Sequence, residues 1–483
     1  MVLFAKKSQC RGHNLTRISV TKCLLLALLL GTFLGTTFVF FGTYGILARA
    51  SQVTLSAAEV VASCVRVPGS TLVLSSPVLY RGKLHCGHSG LEQPWAIPEE
   101  VHLTTSWHSG YGNIPAVPVV TGDNATAGLY GQKCFRIPGW SAIIGTSYVH
   151  HTSVQIGHFV YNTAAPYFDA LVTAFSRVTY DGHGQQSIQL QQPQLPAGGI
   201  SLFWYPDSKV DTSVNADPLG QLELPPVVKR VFAGFGSTAV YSAPALLERS
   251  HQTPFCFENV FAGISGAQLD HYNFDIETTR PGGWRAFTEF LASEFEAEPV
   301  PRHRRNATNV VVVQRKENRF LVNADEVAEA AKRVYSAQGP TTVQIVFFET
   351  MPFAAQLQLM ATTDVLIGVE GTGMFNGNYM SEGSTVIRIK PYMLDHLVPG
   401  TGRNHEVIWE ALGIQYFVWS SKDINTTRAS VSLEELQGAI DNPDSLPWIT
   451  KFDIAYKQDT VVSIDDFYPL LEEAAKAAVT FQQ

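Results

Sequence analysis

The stretches that decide the fold read VVVV at residues 310–313, VQIVFF at 343–348, VLIGV at 365–369 and TVIRI at 385–389. Each is an almost continuous apolar run, which is typical of a strand that is buried on both faces of a sheet. Strands that alternate with helices predict a parallel sheet with right-handed crossovers. We therefore assign the chain to the α/β class.

The segments between these strands carry the signals of helices. Asn323 and Asp325 can cap a helix that runs through Val334 in the first crossover. Residues 353–361 have helical apolar spacing in the second crossover. A closing amphipathic helix is predicted at residues 470–479.

Two arginines, Arg315 and Arg319, follow the first strand, and Asn323 comes next. Guanidinium groups bind oxygen pairs bidentately, so cations at the carboxyl end of a strand suit a diphosphate. Open parallel sheets bind their ligands beyond that end of the strands. The alternative is an ordinary solvated turn between strand and helix.

A glycine turn follows the third strand and reads Gly371-Thr372-Gly373, with Glu370 before it and Asn376 after it. Glycines let the backbone approach a ligand closely, and the short helix that follows presents free N–H groups to an anion. A single Gly-x-Gly is a weak signal, but this one lies one crossover from the arginines. Together the two motifs predict one anion-binding site.

The N-terminal part of the chain predicts a membrane anchor. Residues 23–48 carry no charge, and a helix of that length spans about 39 Å, more than a hydrocarbon core of about 30 Å. Basic residues cluster before this run and thin out after it, which places the N-terminus in the cytosol and the rest in the lumen. A cleaved signal peptide is the alternative, because Ala48-Arg49-Ala50 resembles a cleavage site.

A luminal location gives meaning to the glycosylation sequons. Asn124, Asn306 and Asn425 each begin an Asn-x-Thr sequence, and we predict that they are glycosylated. Asn14 also begins such a sequence, but it falls on the cytosolic side and should stay unmodified.

The luminal cysteines are even in number, which suits disulfides in an oxidising compartment. They allow three pairings, and the sequence leaves all three open: Cys64, Cys86, Cys134 and Cys256. The chain has neither a Cys-x-x-Cys zinc spacing nor an Asp-x-Asp sequence, so we predict no metal site.

Composition bounds the classes of function. Of the 483 residues, 45% are hydrophobic and 16% are charged, so the chain can bury a large core. The net charge is −8 and the folded part has no basic block, which argues against nucleic-acid binding. We divide the chain into a cytosolic tail at 1–22, an anchor at 23–48, a stem and entry to the first domain at 49–98, an N-terminal, acceptor-side domain at 99–300 and a C-terminal domain at 301–483.

The ordered series of motifs resembles glycosyltransferase family 61, which includes plant xylan arabinosyl- and xylosyltransferases and animal O-linked N-acetylglucosaminyltransferases. The family pattern places Arg-x-x-x-Arg after one strand and His-Gly-Ala-Gly after another. Arg315 and Arg319 match the first motif, and residues 370–373 match the second. Upstream, the segment of His158 and Asp169 is similar to the family's "GHF…D" segment. The resemblance covers about half of the chain.

Two positions depart from the family pattern. Glu370 stands where the family has the His of His-Gly-Ala-Gly, and Arg388 stands where it has a Glu in the next strand. Sequential parallel strands often neighbour each other, so we predict a Glu370–Arg388 ion pair that faces the nucleotide. Such a pair would neutralise a carboxylate that otherwise repels a diphosphate.

The resemblance implies a GT-B fold, in which two Rossmann-like domains face each other across a cleft and the C-terminal one holds a nucleotide-sugar, with UDP as the expected nucleotide. It also implies inversion at the sugar carbon and a glycan or glycoprotein acceptor, in the Golgi or the endoplasmic reticulum. His158 and Asp169 are the candidate bases for the acceptor hydroxyl. No cofactor is expected, and Arg315 and Arg319 would replace a metal ion at the diphosphate. The alternative is a non-catalytic luminal glycan-binding or scaffolding protein of the same fold.

Overall fold

The structure is a computed structural model that describes a defined part of the chain. The predicted anchor at 23–48, the sequons at Asn14 and Asn124 and the candidate base His158 lie outside that part. Within it, no helix combines the length and the hydropathy that crossing a bilayer requires. The described residues are 52–54, 63–66, 72–75, 77–81, 83–86, 100–102, 116–121, 129, 132–145, 159–175, 178–180, 186–188, 195–205, 219–263, 268–269, 273–274, 282–301, 304–428 and 431–480.

The N-terminal unit combines short strands with a few helices. Its strands are β1 (Gln52–Thr54), β2 (Ser63–Arg66), β3 (Leu72–Ser75), β4 (Val78–Tyr80), β5 (Lys83–Cys86), β6 (Glu100–His102), β7 (Ala116–Thr121), β8 (Lys133–Gly145), β9 (Val178–Tyr180), β10 (Gln186–Ile188), β11 (Ile200–Tyr205), β12 (Ser237–Ser242), β13 (Phe255–Ala262), β14 (Gln268–Leu269) and β15 (Asn273–Phe274). Its helices are α1 (Ala165–Phe175), which a π turn at Val160–Ala164 precedes, α2 (Pro226–Gly234), α3 (Ala243–Ser250) and α4 (Gly283–Glu294).

The centre of this unit is a parallel sheet with the strand order β12-β11-β8-β13. Strands β3 and β4 pair with β13 in the antiparallel sense, and β1 pairs with β8. The sheet therefore takes in residues of the segment at 49–98, which the sequence analysis assigned to the stem and the entry to the first domain. Strands β1 to β5 have three or four residues each, which is too short to show a period in the sequence.

The C-terminal unit alternates strands with helices. Its strands are β16 (Thr308–Val313), β17 (Thr341–Val346), β18 (Val365–Val369), β19 (Thr385–Lys390), β20 (Gln415–Ser420), β21 (Thr427–Arg428) and β22 (Asp459–Thr460). Its helices are α5 (Ala324–Ser336), α6 (Phe353–Met360), α7 (Leu394–Leu397), α8 (Arg403–Ala411), α9 (Leu433–Asp441), α10 (Trp448–Tyr456) and α11 (Ile464–Thr480). Short 3₁₀ helices lie at Phe348–Thr350, Thr372–Tyr379, Ile424–Thr426 and Pro443–Ser445.

Strands β16 to β20 form a parallel sheet in the order β17-β16-β18-β19-β20. The four predicted strands are present, although the second ends at Val346 because Phe348 joins a 3₁₀ turn. The chain steps outward from β16 to β17 and then crosses back to β18 on the other side of β16. That reversal is the topological switch point, where open α/β sheets bind ligands. The predicted α/β class is confirmed.

Helix α5 shows how the first crossover is held. It buries an apolar stripe at helical spacing: Val327, Ala330, Ala331 and Val334. Asp325 and Glu326 lie in its first turn, where carboxylates interact favourably with the helix dipole. Asn323 occupies the N-cap position, but its side chain makes no capping hydrogen bond there, so that part of the prediction is wrong.

One cluster of buried apolar side chains joins the two units. Trp284 and Phe287 of α4 belong to the same cluster as Val311 and Leu366 of the C-terminal sheet. Helix α4 of the N-terminal unit therefore shares a continuous apolar core with one face of the C-terminal sheet, and burial of this apolar surface stabilises both units.

The segment at 294–305 joins the two units. Arg305 near its end is almost buried, with 6% of its side chain exposed, and its Nη1 lies 2.8 Å from Asp364 Oδ1. The same guanidinium donates to Ser381 Oγ at 2.8 Å. Arg305 therefore ties the segment to the C-terminal unit.

A disulfide joins Cys134 of β8 to Cys256 of β13, with the two Cα atoms 5.9 Å apart. These strands are parallel neighbours, so their side chains come within bonding reach. One of the three pairings that the sequence left open is thereby selected, and it crosslinks the centre of the N-terminal sheet.

Candidate functional site

The two predicted motifs meet at the switch point between β16 and β18. Gly371 has a φ of +148°, which L side chains rarely adopt. A Cβ added to Gly371 would lie 2.5 Å from Arg319 Nη1 and 3.1 Å from Arg315 Nη1. Both guanidinium groups therefore lie against the backbone of the glycine turn, and a side chain at Gly371 would displace them.

Arg315 is held by a carboxylate at the rim of the site. Its Nε lies 3.0 Å from Glu349 Oε1, and 17% of the Arg315 side chain is exposed, against 35% for Glu349. Such a partly exposed pair orients the guanidinium at small energetic cost. One terminal nitrogen of Arg315, Nη1, lies beside Gly371.

Arg319 is held mainly by neutral groups. Its Nη1 donates to the carbonyl oxygen of Glu370 at 3.3 Å, and its Nε donates to Asn318 Oδ1 at 3.2 Å. Burial and the neighbouring Arg315 lower the pKa of Arg319 to about 10, so it stays charged at neutral pH. Two cations therefore share one site, an arrangement that an anionic ligand would stabilise.

Glu370 and Arg388 form the predicted ion pair. Arg388 Nε lies 3.2 Å from Glu370 Oε2, with 0% and 2% of the two side chains exposed. Strands β18 and β19 are neighbours in the sheet, and Gly368 is opposite Arg388, so Glu370 lies two residues further along the neighbouring strand. The pair is buried next to the glycine turn, and its orientation towards a nucleotide stays a prediction.

Arg388 also binds two further groups. Its Nη1 donates to the carbonyl oxygen of Gly402 at 2.7 Å, and its Nη2 pairs with Glu406 of α8. His405 Nδ1 lies 3.7 Å from Glu370 Oε1. Burial raises the pKa of Glu370, while the charge of Arg388 opposes that rise. The network neutralises the carboxylate below the turn.

Comparison with known proteins gives the family of the chain. The pattern of the family Glycosyltransferase 61 matches residues 156–387. The chain is a member of glycosyltransferase family 61. As a family 61 protein it is a glycosyltransferase, and the matched segment includes Arg315, Arg319 and the glycine turn.

The other comparisons add little to the family 61 assignment. No curated protein matches the sequence significantly. Among solved structures, a flavodiiron protein from Giardia intestinalis aligns at 10% identity over 55% of this chain and 58% of its own, with a TM-score of 0.19. The chain thus spans little more than half of that protein, and the likeness is too weak to inform the fold.

Two asparagines predicted at the donor site of this family 61 protein are engaged in packing contacts. Asn323 Nδ2 donates to the carbonyl oxygen of Val462 at 2.8 Å, and its Oδ1 accepts from Val462 N at 2.9 Å. Asn376 Nδ2 donates to Gln356 Oε1 at 3.0 Å in a buried setting. Thr372 and Gly373 are partly exposed at the start of the 3₁₀ helix, so they remain available to a ligand.

Of the two candidate bases, the structure describes Asp169 and not His158. Asp169 lies in α1 with 1% of its surface exposed, which favours a structural role. His158 falls outside the described residues. Tyr161, three residues further on, stacks on Phe375 with ring centroids 4.2 Å apart. The segment that follows His158 therefore packs against the 3₁₀ helix of the glycine turn.

Sequence reasoning missed the residues that support the site from the C-terminal side. Gly402 has a φ of +79°, and a Cβ there would lie 2.1 Å from Arg388 Nη1. Tyr456 places its ring under Arg319, with 5.3 Å from the guanidinium carbon to the ring centroid. The closely spaced Gly400 and Gly402 mark a turn in the sequence, but nothing local shows what the turn contacts.

Proposed function

We propose that this protein is an inverting, metal-independent glycosyltransferase that moves a sugar from a UDP-linked donor to a glycan or glycoprotein hydroxyl in the secretory pathway. The observation that carries the proposal is the convergence of Arg315 and Arg319 on Gly371 at the switch point of the C-terminal sheet. Family membership supports sugar transfer over the non-catalytic alternative.

The arginines suit the diphosphate of the donor. Their guanidinium groups supply fixed positive charge where the leaving diphosphate gains negative charge, which is the largest electrostatic demand of this reaction. The chain has no Asp-x-Asp, so the arginines take the place of a metal-bound diphosphate. The turn at Gly371 and Thr372 adds backbone N–H donors at the start of a 3₁₀ helix.

The chemistry requires a base on the acceptor side. The acceptor oxygen forms a bond to the anomeric carbon as the bond from that carbon to the diphosphate oxygen breaks. The hydroxyl proton passes to the base, and the electron pair leaves with UDP. We assign the base to His158, because the segment that follows it packs against the glycine-turn helix through Tyr161 and Phe375.

The two units support the GT-B arrangement. Each is built on parallel strands, with the nucleotide held by the C-terminal unit and the acceptor by the N-terminal unit. We place both in the lumen, behind an anchor at residues 23–48.

Replacing Arg315 or Arg319 with alanine should weaken UDP binding roughly 10- to 150-fold, because each loses a hydrogen bond to a charged group worth about 1.5–3 kcal/mol. Isothermal titration calorimetry with UDP measures the effect. The matched control is Arg333→Ala, which removes the same charge from an exposed position on α5 and should bind UDP as the wild type does. Unchanged UDP affinity in both site variants would refute the assignment.

The topology makes a separate prediction about modification. Asn306 and Asn425 are exposed, so both sequons are accessible to luminal glycosylation, whereas Asn14 should stay unmodified. Mass spectrometry of the protein from a eukaryotic host, with Asn306→Gln and Asn425→Gln as controls, locates the glycans. The chain should also keep its N-terminus and resist carbonate extraction. A glycan on Asn14, or Ser51 as the mature N-terminus, contradicts the proposed anchor.

A further inference from the structure

Helix α10 carries an aromatic stack that ends at Arg319. The rings of Trp448 and Phe452 lie 5.1 Å apart at 26°, and those of Phe452 and Tyr456 lie 4.1 Å apart at 21°. The spacing of four residues places the three rings on one face of the helix. The last ring faces the Arg319 guanidinium, with 5.3 Å from the guanidinium carbon to the ring centroid.

This contact with Tyr456 orients the guanidinium group of Arg319. The residue has a φ of +60°, which is uncommon outside glycine, and its guanidinium makes hydrogen bonds to two neutral oxygens. An aromatic face attracts the flat side of a guanidinium and leaves the N–H groups at its edge free. Tyr456 can therefore hold Arg319 without consuming the donors that a diphosphate needs.

Tyr456 also lies close to a second part of the site. Its hydroxyl is near the side chain of Thr401. The next residue, Gly402, accepts a hydrogen bond from Arg388 through its carbonyl oxygen. Tyr456 thus lies close both to Arg319 and to the Glu370–Arg388 ion pair.

We propose that Tyr456 is a positioning residue for the sugar-nucleotide diphosphate: its ring fixes Arg319 against Gly371, and Phe452 and Trp448 brace that ring. The assignment rests on the proposed diphosphate site. Tyr456 lies beyond the matched segment at 156–387, so it is a feature of this chain that the family pattern does not include.

The test is a double-mutant cycle on UDP affinity, measured by calorimetry. Tyr456→Leu should weaken UDP binding about 3- to 30-fold, the range that a partly desolvated cation–π contact supports. Tyr456→Phe keeps the ring and should restore the affinity to within about twofold of wild type. In an Arg319→Ala background, Tyr456→Leu should have no further effect, because the group that it positions is gone.

The outcomes separate the two proposals. Unchanged UDP binding in Arg319→Ala would refute the proposed diphosphate site itself. A weakened Arg319→Ala beside an unchanged Tyr456→Leu would overturn the positioning role alone. Additive losses in the double variant would make Tyr456 a general packing residue and also overturn it. The control for packing is Tyr416→Leu, which removes a tyrosine of the same unit whose ring contacts Trp409. If Tyr456→Leu does not fold, Tyr456→Met replaces it in the cycle.

Discussion

Replacing Arg388 with glutamine should lower the free energy of unfolding by about 3–5 kcal/mol, the range for breaking a buried ion pair. Arg388 is fully buried and binds Glu370, Glu406 and the carbonyl oxygen of Gly402. Its loss leaves the carboxylate of Glu370 without its strongest neutralising charge. Glu370→Gln should cost less, because Arg388 keeps Glu406, whose side chain is 26% exposed.

The double variant distinguishes a true pair from two unrelated residues. Glu370→Gln with Arg388→Gln removes both buried charges and should be more stable than Arg388→Gln alone. Urea unfolding of the full chain, followed by tryptophan fluorescence, measures the three variants. Arg285→Gln is the control: it breaks a pair with Glu382 that is 40% and 52% exposed, and should cost about 1 kcal/mol or less. Additive costs at Glu370 and Arg388 would show that the pair contributes no coupling energy.

The largest effect on nucleotide binding should come from the smallest substitution, Gly371→Ala. The new methyl group would lie 2.5 Å from Arg319 Nη1 and 3.1 Å from Arg315 Nη1, so both guanidinium groups must shift. The φ of +148° adds backbone strain. Because two charge-assisted contacts are displaced together, we expect UDP affinity to fall about 100-fold or more.

Gly438→Ala is the control for that prediction. Gly438 is exposed on α9, and a Cβ added there would have no atom within 4 Å. Its UDP affinity should stay within about threefold of wild type. Equal losses in the two variants would mean that the effect of Gly371→Ala does not come from the approach of the arginines.

Local patterns in the sequence were enough for the α/β class and for the meeting of the two motifs. Apolar runs such as Val310–Val313 mark buried strands because the side-chain period of a strand is a property of a few adjacent residues. Carboxyl ends of parallel strands share one edge, so Arg315, Arg319 and Gly371 could be placed together without coordinates. The neighbouring strands also made the Glu370–Arg388 contact predictable.

Tertiary structure alone decided which side of the site each group occupies and what supports it. Glu370 is buried in a pair with Arg388, the side chains of Asn323 and Asn376 hydrogen-bond to other parts of the protein, and Cys134 pairs with Cys256. Gly402 and Tyr456 reach the site from segments that follow the last predicted strand. Such contacts join residues far apart in the chain, and they depend on how loops and helices pack over the sheet. No local period in the sequence encodes that packing, because it is selected by the combined burial and charge pairing of the whole unit.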